Sequence, residues 1–176
     1  MIYFTADTHL NHYNIMRYCK RPFATTKEMD ETIIANWNSV VGPNDTIYHL
    51  GDFAFCNSVE DVSKYLSRLH GRIHLILGNH DRRPTKKCPD FISIQRILED
   101  SYKGQKLTLC HYAMRTWNCS HYGAWQLYGH SHGSLQDDPT KLSIDVGVDS
   151  WGFTPVSFEQ VKNVMKTKVF EELQDE

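Results

Sequence analysis

The clearest structural signal in the chain is the stretch Ile73-His74-Leu75-Ile76-Leu77-Gly78-Asn79-His80-Asp81. Residues 73–77 form an apolar, β-prone run, which predicts a buried strand. The pattern then changes abruptly to turn-forming and titratable residues, of which Asn79 can offer a neutral oxygen ligand and His80 can face a substrate. Taken alone, this block is also compatible with an ordinary tight turn. Its meaning therefore depends on the residues at the ends of the other strands.

Polar blocks also follow four other strand-like runs, at residues 2–5, 46–50, 107–110 and 125–128. These blocks are Asp7-Thr8-His9, Gly51-Asp52, His111 and Gly129-His130-Ser131-His132. In an extended segment, residues two apart point the same way, so Asp7 and His9 can share one ion. The two oxygens of the Asp52 carboxylate suit it to bridging two cations about 3.5–4 Å apart. Each block alone is weak evidence, but carboxylates and imidazoles at neighbouring strand ends together indicate a cation site.

The remaining patterns predict a layered architecture. Helical periodicity covers residues 26–41, 58–69 and 157–173, and further β-prone runs cover residues 91–98 and 142–148. The last two helices begin with capping-box spacings, Ser58 to Asp61 and Ser157 to Gln160. The pair Lys103-Gly104 predicts a hairpin turn. Because no linker or repeat interrupts the chain, we expect one α/β (α+β) domain over residues 1–176. Sheets covered by helices would bind ligands at the carboxyl ends of their strands.

Composition excludes several classes of protein. The 19 basic and 21 acidic residues give a net charge of -2, so strong binding to duplex nucleic acid is not expected. The five cysteines are an odd number, widely spaced and without a C-x-x-C pair, which is typical of a reduced, intracellular protein. No run reaches the roughly 18 apolar residues of a membrane span, and no signal peptide fits the N-terminus. We expect a cytoplasmic protein that does not associate with membranes.

The ordered set D-x-H, G-D, G-N-H-D, H and G-H-x-H, from Asp7 to His132, resembles the calcineurin-like metallophosphoesterase superfamily. It is most similar to the small single-domain bacterial and phage members. The resemblance implies a four-layer α/β/β/α sandwich with mixed sheets and a dinuclear metal centre. An arginine that follows the G-D block in the protein phosphatase branch is missing here, because Asp52 is followed by Phe53-Ala54-Phe55. This departure argues against a phosphoprotein phosphatase.

The resemblance also assigns roles to individual residues. One ion would be held by Asp7, His9, Asp52 and His132, and the second by Asp52, Asn79, His111 and His130. His80 would be the catalytic histidine that binds no metal, and Asp81 a candidate for orienting this region. His49, inside an apolar strand, is assigned to the core.

The implied reaction is the hydrolysis of a phosphate ester. Two divalent ions sharing a water would supply a hydroxide near neutral pH and neutralise charge on the phosphoryl group. His80 would then protonate the leaving alkoxide. A mixed nitrogen and oxygen donor set suits Mn²⁺, Fe, Zn²⁺ or Ni²⁺ better than Ca²⁺. Mn²⁺ is favoured because the small enzymes that the chain resembles commonly work with it.

The substrate is less well defined by the sequence. Asn11 and His12 lie close enough to the first block to reach a bound phosphate, Arg82 can contribute to a cationic rim, and Arg115 can line the entrance. The basic loop after Asp81 can equally be a solvated loop. The short chain leaves no separate capping domain, so an open site for a phosphodiesterase acting on small nucleotides or cyclic nucleotides is expected. The alternatives are a phosphomonoesterase, a single-strand nuclease, and a non-catalytic scaffold, although a scaffold would be expected to have lost some of these residues.

Overall fold

The computed structural model describes residues 1–170, which form two β-sheets packed together with helices on them. The first sheet contains β1 (Ile2–Thr5), β2 (Thr46–His49), β3 (Arg72–Ile76), β4 (Ser93–Gln95) and β9 (Val156–Ser157). Its spatial order is β4-β3-β2-β1-β9, in which β1 to β4 are parallel and β9 is antiparallel to β1.

The second sheet contains β5 (Ile97–Tyr102), β6 (Gln105–Cys110), β7 (Trp125–Tyr128) and β8 (Ser143–Asp145). The strands lie in chain order, with β5 antiparallel to β6 and the other pairs parallel. Lys103 and Gly104 join β5 to β6 with φ of 50° and 82°. Two positive φ angles are those of a type I′ hairpin turn, which confirms the predicted hairpin.

Five α-helices accompany the sheets in residues 1–170: α1 (Tyr13–Tyr18), α2 (Thr26–Val40), α3 (Val59–Leu66), α4 (Arg83–Lys87) and α5 (Phe158–Met165). The hydroxyl of Ser58 accepts the backbone N–H of Asp61 at the start of α3. Ser157 and Gln160 form a reciprocal capping box at the start of α5. These side chains satisfy backbone N–H groups that have no partner inside the helix, so the predicted helix starts are confirmed.

The two faces of the first sheet lie in two different hydrophobic cores. On β1, Tyr3 belongs to the core shared with α2 and α3, whereas Phe4 belongs to the core shared with the second sheet and α5. This alternation follows from the two-residue period of a strand. Trp37 of α2 is fully buried, and its indole N–H donates to the carbonyl of His70 at 2.9 Å. Packing on both faces holds the strand ends in place.

One predicted strand is divided in the structure, and three short elements were not predicted. Residues 91–98 were expected to be one strand, but they contain β4 and the start of β5, which belong to different sheets. The chain passes from one sheet to the other at Arg96, and an apolar run does not reveal that change of partner. The short elements α1, α4 and β9 were not predicted, because six residues or fewer are too short to show a period.

The last helix is shorter than predicted. Helix α5 ends at Met165, whereas the predicted helix continues to residue 173. Residues 171–173 of that prediction lie outside the described part of the chain. Beyond the helix, the ammonium group of Lys168 donates to Asp137 Oδ1 at 2.6 Å, and the N–H of Val169 donates to the carbonyl of Pro139 at 2.8 Å. These bonds to a distant loop replace the next helical turn.

The two mixed sheets and their helices confirm the predicted α/β fold class. The sheets meet at the carboxyl ends of their strands, where Ala6 forms a parallel bridge with Gly147, and the N–H of Val148 donates to the carbonyl of Ala6 at 3.0 Å. Within residues 1–170, we find no helix that is both long and apolar enough to traverse a bilayer.

Candidate metal centre

All seven predicted metal ligands lie beyond the carboxyl ends of parallel strands. Asp7 and His9 follow β1, Asp52 follows β2, and Asn79 follows β3. In the second sheet, His111 follows β6, and His130 and His132 follow β7. Because the two sheets meet at this end, side chains from all five loops converge on one place.

The side chains form two clusters joined by one carboxylate. Candidate ligand atoms of Asp7, His9 and His132 lie within 4.8 Å of one another, as do those of Asp52, His111 and His130. Asp52 Oδ2 lies 3.5 Å from His9 Nε2 and 3.4 Å from His111 Nε2, so it stands between the clusters. Asn79 Oδ1 lies 3.1 Å from His111 Nε2. The structure therefore brings all seven residues together, with Asp7, His9 and His132 in one cluster and with Asn79 beside His111 in the other.

The backbone conformation of these residues differs from the one predicted from the sequence. An extended segment was expected at the first block, but five of the seven residues have left-handed backbone conformations: Asp7 (φ 58°), His9 (φ 48°), Asp52 (φ 58°), His130 (φ 67°) and His132 (φ 48°). Such conformations cost about 1–3 kcal/mol each outside glycine and concentrate at functional sites. The predicted extended conformation of Asp7 and His9 is therefore wrong, although the two residues do share a cluster.

Hydrogen bonds between loops maintain these conformations. The N–H of Asp7 donates to the carbonyl of Gly51 at 2.9 Å, and that of His9 donates to the carbonyl of Asp52 at 3.0 Å. Asp81 is buried and accepts three backbone N–H groups, from Gly78 at 2.8 Å and from Asp52 and Phe53 at 3.0 Å. Asp81 thus ties the loop after β3 to the loop after β2, in agreement with the orienting role considered from the sequence.

Three histidines of the clusters have their Nδ1 atoms engaged away from the centre. His111 Nδ1 donates to the carbonyl of Leu50 at 2.7 Å. His9 Nδ1 shares a hydrogen bond of 3.2 Å with His12 Nδ1, and His132 Nδ1 pairs with Asp149 Oδ2 at 2.7 Å. A partner on one ring nitrogen sets the tautomer and leaves the other nitrogen available to a metal.

The donor set fits a bound cation. Asp7 Oδ1 and His9 Nε2 are buried and have no hydrogen-bond partner within residues 1–170. Burial raises the pKa of Asp7 to about 7, against the lowering effect of His132 and His111. Unpaired buried polar atoms are costly in a folded protein, and a divalent ion would remove this cost. Nitrogen and oxygen donors in this number are those that transition-metal ions prefer.

The pKa values of Asp52 and His132 are shifted in opposite directions. Burial raises the pKa of Asp52, but the hydrogen bond and charge of His111 and the charge of His9 outweigh it and leave the pKa at about 2. Asp52 is therefore ionised at neutral pH, as a bridging ligand must be. For His132, burial lowers the pKa, but the bonds to Asp149 and Cys19 raise it to about 10.

His80 lies at the solvent-exposed edge of the centre. Its backbone N–H donates to Asp52 Oδ1 at 2.7 Å, and its ring centre lies 5.5 Å from that of His9 and 6.2 Å from that of His12. The ring of His80 belongs to neither cluster. The ring therefore lies beside the centre and is accessible from solvent.

The four predicted substrate-binding residues differ in their exposure and contacts. His12 is buried against His9 and stacks on Phe55 with ring centres 4.2 Å apart, so it supports His9. Asn11 is exposed, and its side chain donates to the carbonyl of Phe55 at 3.3 Å. Arg82 is exposed, with its guanidinium 3.6 Å from the ring centre of Phe55. Arg115 is exposed in the loop that follows His111.

Two residues of the centre were not predicted. Asp149 contacts His132, and Arg21 forms an ion pair with Asp149 although 128 residues separate them in the chain. Arg21 precedes Pro22 in a loop without a recognisable motif, and Asp149 lies in a short 3₁₀ turn. No local pattern distinguishes either from an ordinary surface residue, so only the folded chain reveals them.

Two packed mixed sheets carry carboxylate and imidazole clusters at their strand ends, and the family that this sequence matches gives the class, the metal-dependent hydrolases of phosphate esters. The chain belongs to the calcineurin-like phosphoesterases, whose family model matches residues 1–160. The family implies divalent metal ions, and the two clusters supply candidate ligands for them. The resemblance drawn from the motifs is thereby confirmed.

Three proteins are similar to this chain over most of its length. An uncharacterized protein of Methanocaldococcus jannaschii is 36% identical over 181 residues, covering 99% of this chain and 97% of that protein. The gene 66 protein of Mycobacterium phage D29 is 26% identical and covers 85% of this chain and 88% of the phage protein. The crystal structure of a protein of unknown function from Aquifex aeolicus matches with a TM-score of 0.72 and 25% identity, over 93% of this chain and 98% of that one.

Proposed function

We propose that this metal-dependent phosphoesterase is a dinuclear phosphodiesterase that hydrolyses small nucleotides or cyclic nucleotides, with Mn²⁺ as its preferred metal. The observation that carries the dinuclear assignment is the position of Asp52. Its Oδ2 atom lies 3.5 Å from an imidazole nitrogen of one cluster and 3.4 Å from an imidazole nitrogen of the other. A carboxylate in this position is suited to bridging two ions.

The proposed ligands divide into two sets that share Asp52. One ion would be held by Asp7, His9, Asp52 and His132, and the other by Asp52, Asn79, His111 and His130. When bound, two such ions supply a nucleophile from water near neutral pH and offset the charge of the phosphoryl group. The chain holds these ligands in loops that have left-handed residues and are hydrogen-bonded to one another, which is the kind of preorganisation that a catalytic site requires.

His80 is the proposed proton donor to the leaving group. It is exposed at the edge of the centre, and its backbone is anchored to the carboxylate of Asp52 at 2.7 Å. This anchor ties its position to that of the bridging ligand. An imidazole beside the reacting phosphate can give its proton to the departing alkoxide oxygen.

A neutral cavity beside the centre favours a diester. A cavity of about 420 Å³ is lined by His130 and by Tyr112, Ala113, Gly129, Ser131, Ser134 and Leu135. No lining residue in the described part of the chain is a Lys, Arg, Asp or Glu, and the side chains of Tyr112 and Leu135 are exposed. An uncharged lining with an accessible aromatic ring suits the nucleoside on the far side of a diester, because aromatic rings stack on bases.

A substrate panel tests this proposal. Metal-free protein would be assayed with Mn²⁺, Zn²⁺, Ni²⁺, Fe²⁺ and Mg²⁺ on p-nitrophenyl phosphate, bis-p-nitrophenyl phosphate and 2′,3′-cyclic nucleotides. We expect the highest kcat/KM on the diesters with Mn²⁺. The Asp52→Asn variant should lose at least about 100-fold in kcat/KM, since a bridging charge contributes several kcal/mol. The exposed aspartate variant Asp90→Asn is the matched control and should retain wild-type activity.

The outcomes separate the alternatives. A preference for the monoester would replace the proposal with a phosphomonoesterase, and cleavage of labelled single-stranded oligonucleotides, but not of cyclic nucleotides, would replace it with a nuclease. Inactivity on every substrate with every metal, in protein shown to be folded, would favour the non-catalytic scaffold.

A further inference from the structure

Arg21 is a buried cation that no motif accounts for. Its guanidinium makes two parallel bonds to Asp149, from Nε to Oδ1 and from Nη2 to Oδ2, both at 2.8 Å. The same group also donates to two backbone carbonyls of the first ligand block, to Asp7 from Nη2 at 2.7 Å and to Thr8 from Nη1 at 3.1 Å. One side chain therefore contacts both the loop after β1 and the turn after β8.

Asp149 extends this network to the loop after β7. Its Oδ2 atom, which accepts a bond from Arg21, also pairs with His132 Nδ1 at 2.7 Å. An ionised carboxylate only accepts hydrogen bonds, so His132 carries a proton on Nδ1. The Nε2 atom is then the ring nitrogen left for a metal.

We propose that Arg21 and Asp149 are positioning residues for one of the two metal sites, the one formed by Asp7, His9 and His132. This inference rests on the proposed function, because it takes those three residues as ligands. Asp149 orients the ring of His132 and sets its tautomer. Arg21 neutralises Asp149 and ties the loop of Asp7 to the same carboxylate. Neither residue contacts His111 or His130, the two histidines of the other cluster, so we expect the larger effect on the ion held by Asp7, His9 and His132.

An alternative use of this region is a third metal site. Ligand atoms of Cys19, His132 and Asp149 lie within 4.8 Å of one another. Both oxygens of Asp149, however, are already engaged by Arg21. A second cation next to a buried guanidinium would be repelled, because charges in the interior interact strongly. The arrangement is therefore that of a supporting network around His132.

Ring ¹⁵N NMR of the histidines during a Zn²⁺ titration of metal-free protein tests the inference. His9 and His132 report on one cluster, while His111 and His130 report on the other. In Arg21→Gln and Asp149→Ala, we expect His9 and His132 to saturate at about 10–100-fold higher free Zn²⁺ than in the wild type, the usual effect of losing a supporting partner of a metal ligand. His111 and His130 should saturate as in the wild type, and His132 of Asp149→Ala should lose its fixed Nδ1 proton.

The matched control is Arg68→Gln, which removes an exposed arginine paired with Glu31. It should leave the titration of both clusters unchanged. Arg21→Lys and Asp149→Asn retain more of the native packing and provide the test if the larger changes prevent folding. Each is expected to weaken the same cluster by a smaller factor.

Three results would overturn the inference. Variants that fill both clusters at wild-type concentrations contradict it, as do variants that weaken both clusters equally. A third equivalent of Zn²⁺ that disappears in Asp149→Ala would replace it with a metal site at Cys19. If the wild-type protein fails to bind two ions, the proposed function fails as well; if it binds two and the variants behave identically, only the positioning role is lost.

Discussion

The proposed role of His80 as a proton donor can be tested separately from metal binding. The side chain is exposed and outside both clusters, so replacing it should leave the ions in place. In His80→Ala, we expect kcat to fall about 10²–10⁴-fold on esters with a poor leaving group, such as cyclic nucleotides, because the departing alkoxide loses its acid. On bis-p-nitrophenyl phosphate, the loss should be much smaller, since p-nitrophenolate leaves without a proton.

The measurement compares kcat for both substrates, with Mn²⁺ binding followed by calorimetry. His70→Ala is the control, because His70 is exposed and lies before β3, at the opposite end of the sheet. An equal loss on both substrates would contradict the role of His80 as the proton donor.

The burial of His49 predicts that the stability of the protein depends on pH. The side chain is fully buried, and its Nε2–H donates to the Thr8 hydroxyl at 2.9 Å, which itself donates to the carbonyl of Phe53. Burial lowers the pKa of His49 from 6.5 to about 3, with Asp52 opposing the shift. Since the unfolded chain binds this proton more readily, the contribution of neutral His49 is complete above about pH 6.5 and is lost as pH falls toward 3.

The free energy of unfolding of metal-free protein, measured by urea denaturation between pH 6.5 and pH 4, checks this. In the wild type it should fall more steeply than in His49→Leu, by up to about 1.4 kcal/mol per pH unit, the slope for one proton. Parallel curves for the two proteins would show that the pKa of His49 is the same in the folded and unfolded states, which would contradict this prediction.

At the scale of the elements, two glycines let the loops after β2 and β3 approach each other. Gly51 has a φ of 96°, and a Cβ atom there would lie 2.6 Å from His111 Nδ1; at Gly78 it would lie 2.2 Å from Asp52 Oδ1. Alanine at either position should therefore displace a proposed ligand. We expect both variants to lose most activity and to weaken Mn²⁺ binding, and Gly51→Ala to be destabilised by more than about 1 kcal/mol.

Gly104→Ala is the control for this prediction. Gly104 also has a positive φ, of 82°, but a Cβ atom there would meet nothing within 4 Å. It should lose about 1 kcal/mol of stability and keep full activity, as measured by thermal unfolding and kcat/KM. If all three variants retained activity, the close approach of these loops would not matter for function.

Most strands could be predicted from the sequence, because a strand that packs against a core on one or both faces must itself contain apolar residues. The caps at Ser58 and Ser157 were also predictable, since their partners lie three residues away. The division of residues 91–98 between two sheets was not, because one charged residue, Arg96, is as compatible with a single half-exposed strand as with a junction between two strands. Local sequence does not encode which sheet a strand joins.

At the scale of the whole molecule, the proposed centre connects the two sheets. Asp7, His9, Asp52 and Asn79 come from the first sheet, and His111, His130 and His132 come from the second. An ion bound to ligands from both would stabilise the folded state over the unfolded chain. With Mn²⁺ at about 100 times its dissociation constant, each ion should add about 2.7 kcal/mol, which raises the Tm of a protein of this size by about 5–10 °C.

Differential scanning calorimetry with and without a chelator measures this shift. In Asp52→Asn, the carboxylate shared by the clusters is lost, so most of the stabilisation by Mn²⁺ should disappear. A Tm that is independent of Mn²⁺ in the wild type would contradict a metal centre joining the sheets.

The amino-acid sequence alone determined the five strands that precede the polar blocks, the blocks themselves and hence the family and the type of reaction. These features are local, because each block directly follows the strand that carries it. Only the tertiary structure decided that five of the seven proposed ligand residues adopt left-handed conformations, and that Arg21 and Asp149 pair with each other beside His132. Arg21 and Asp149 are 128 residues apart, and only the order and packing of the two sheets bring them into contact.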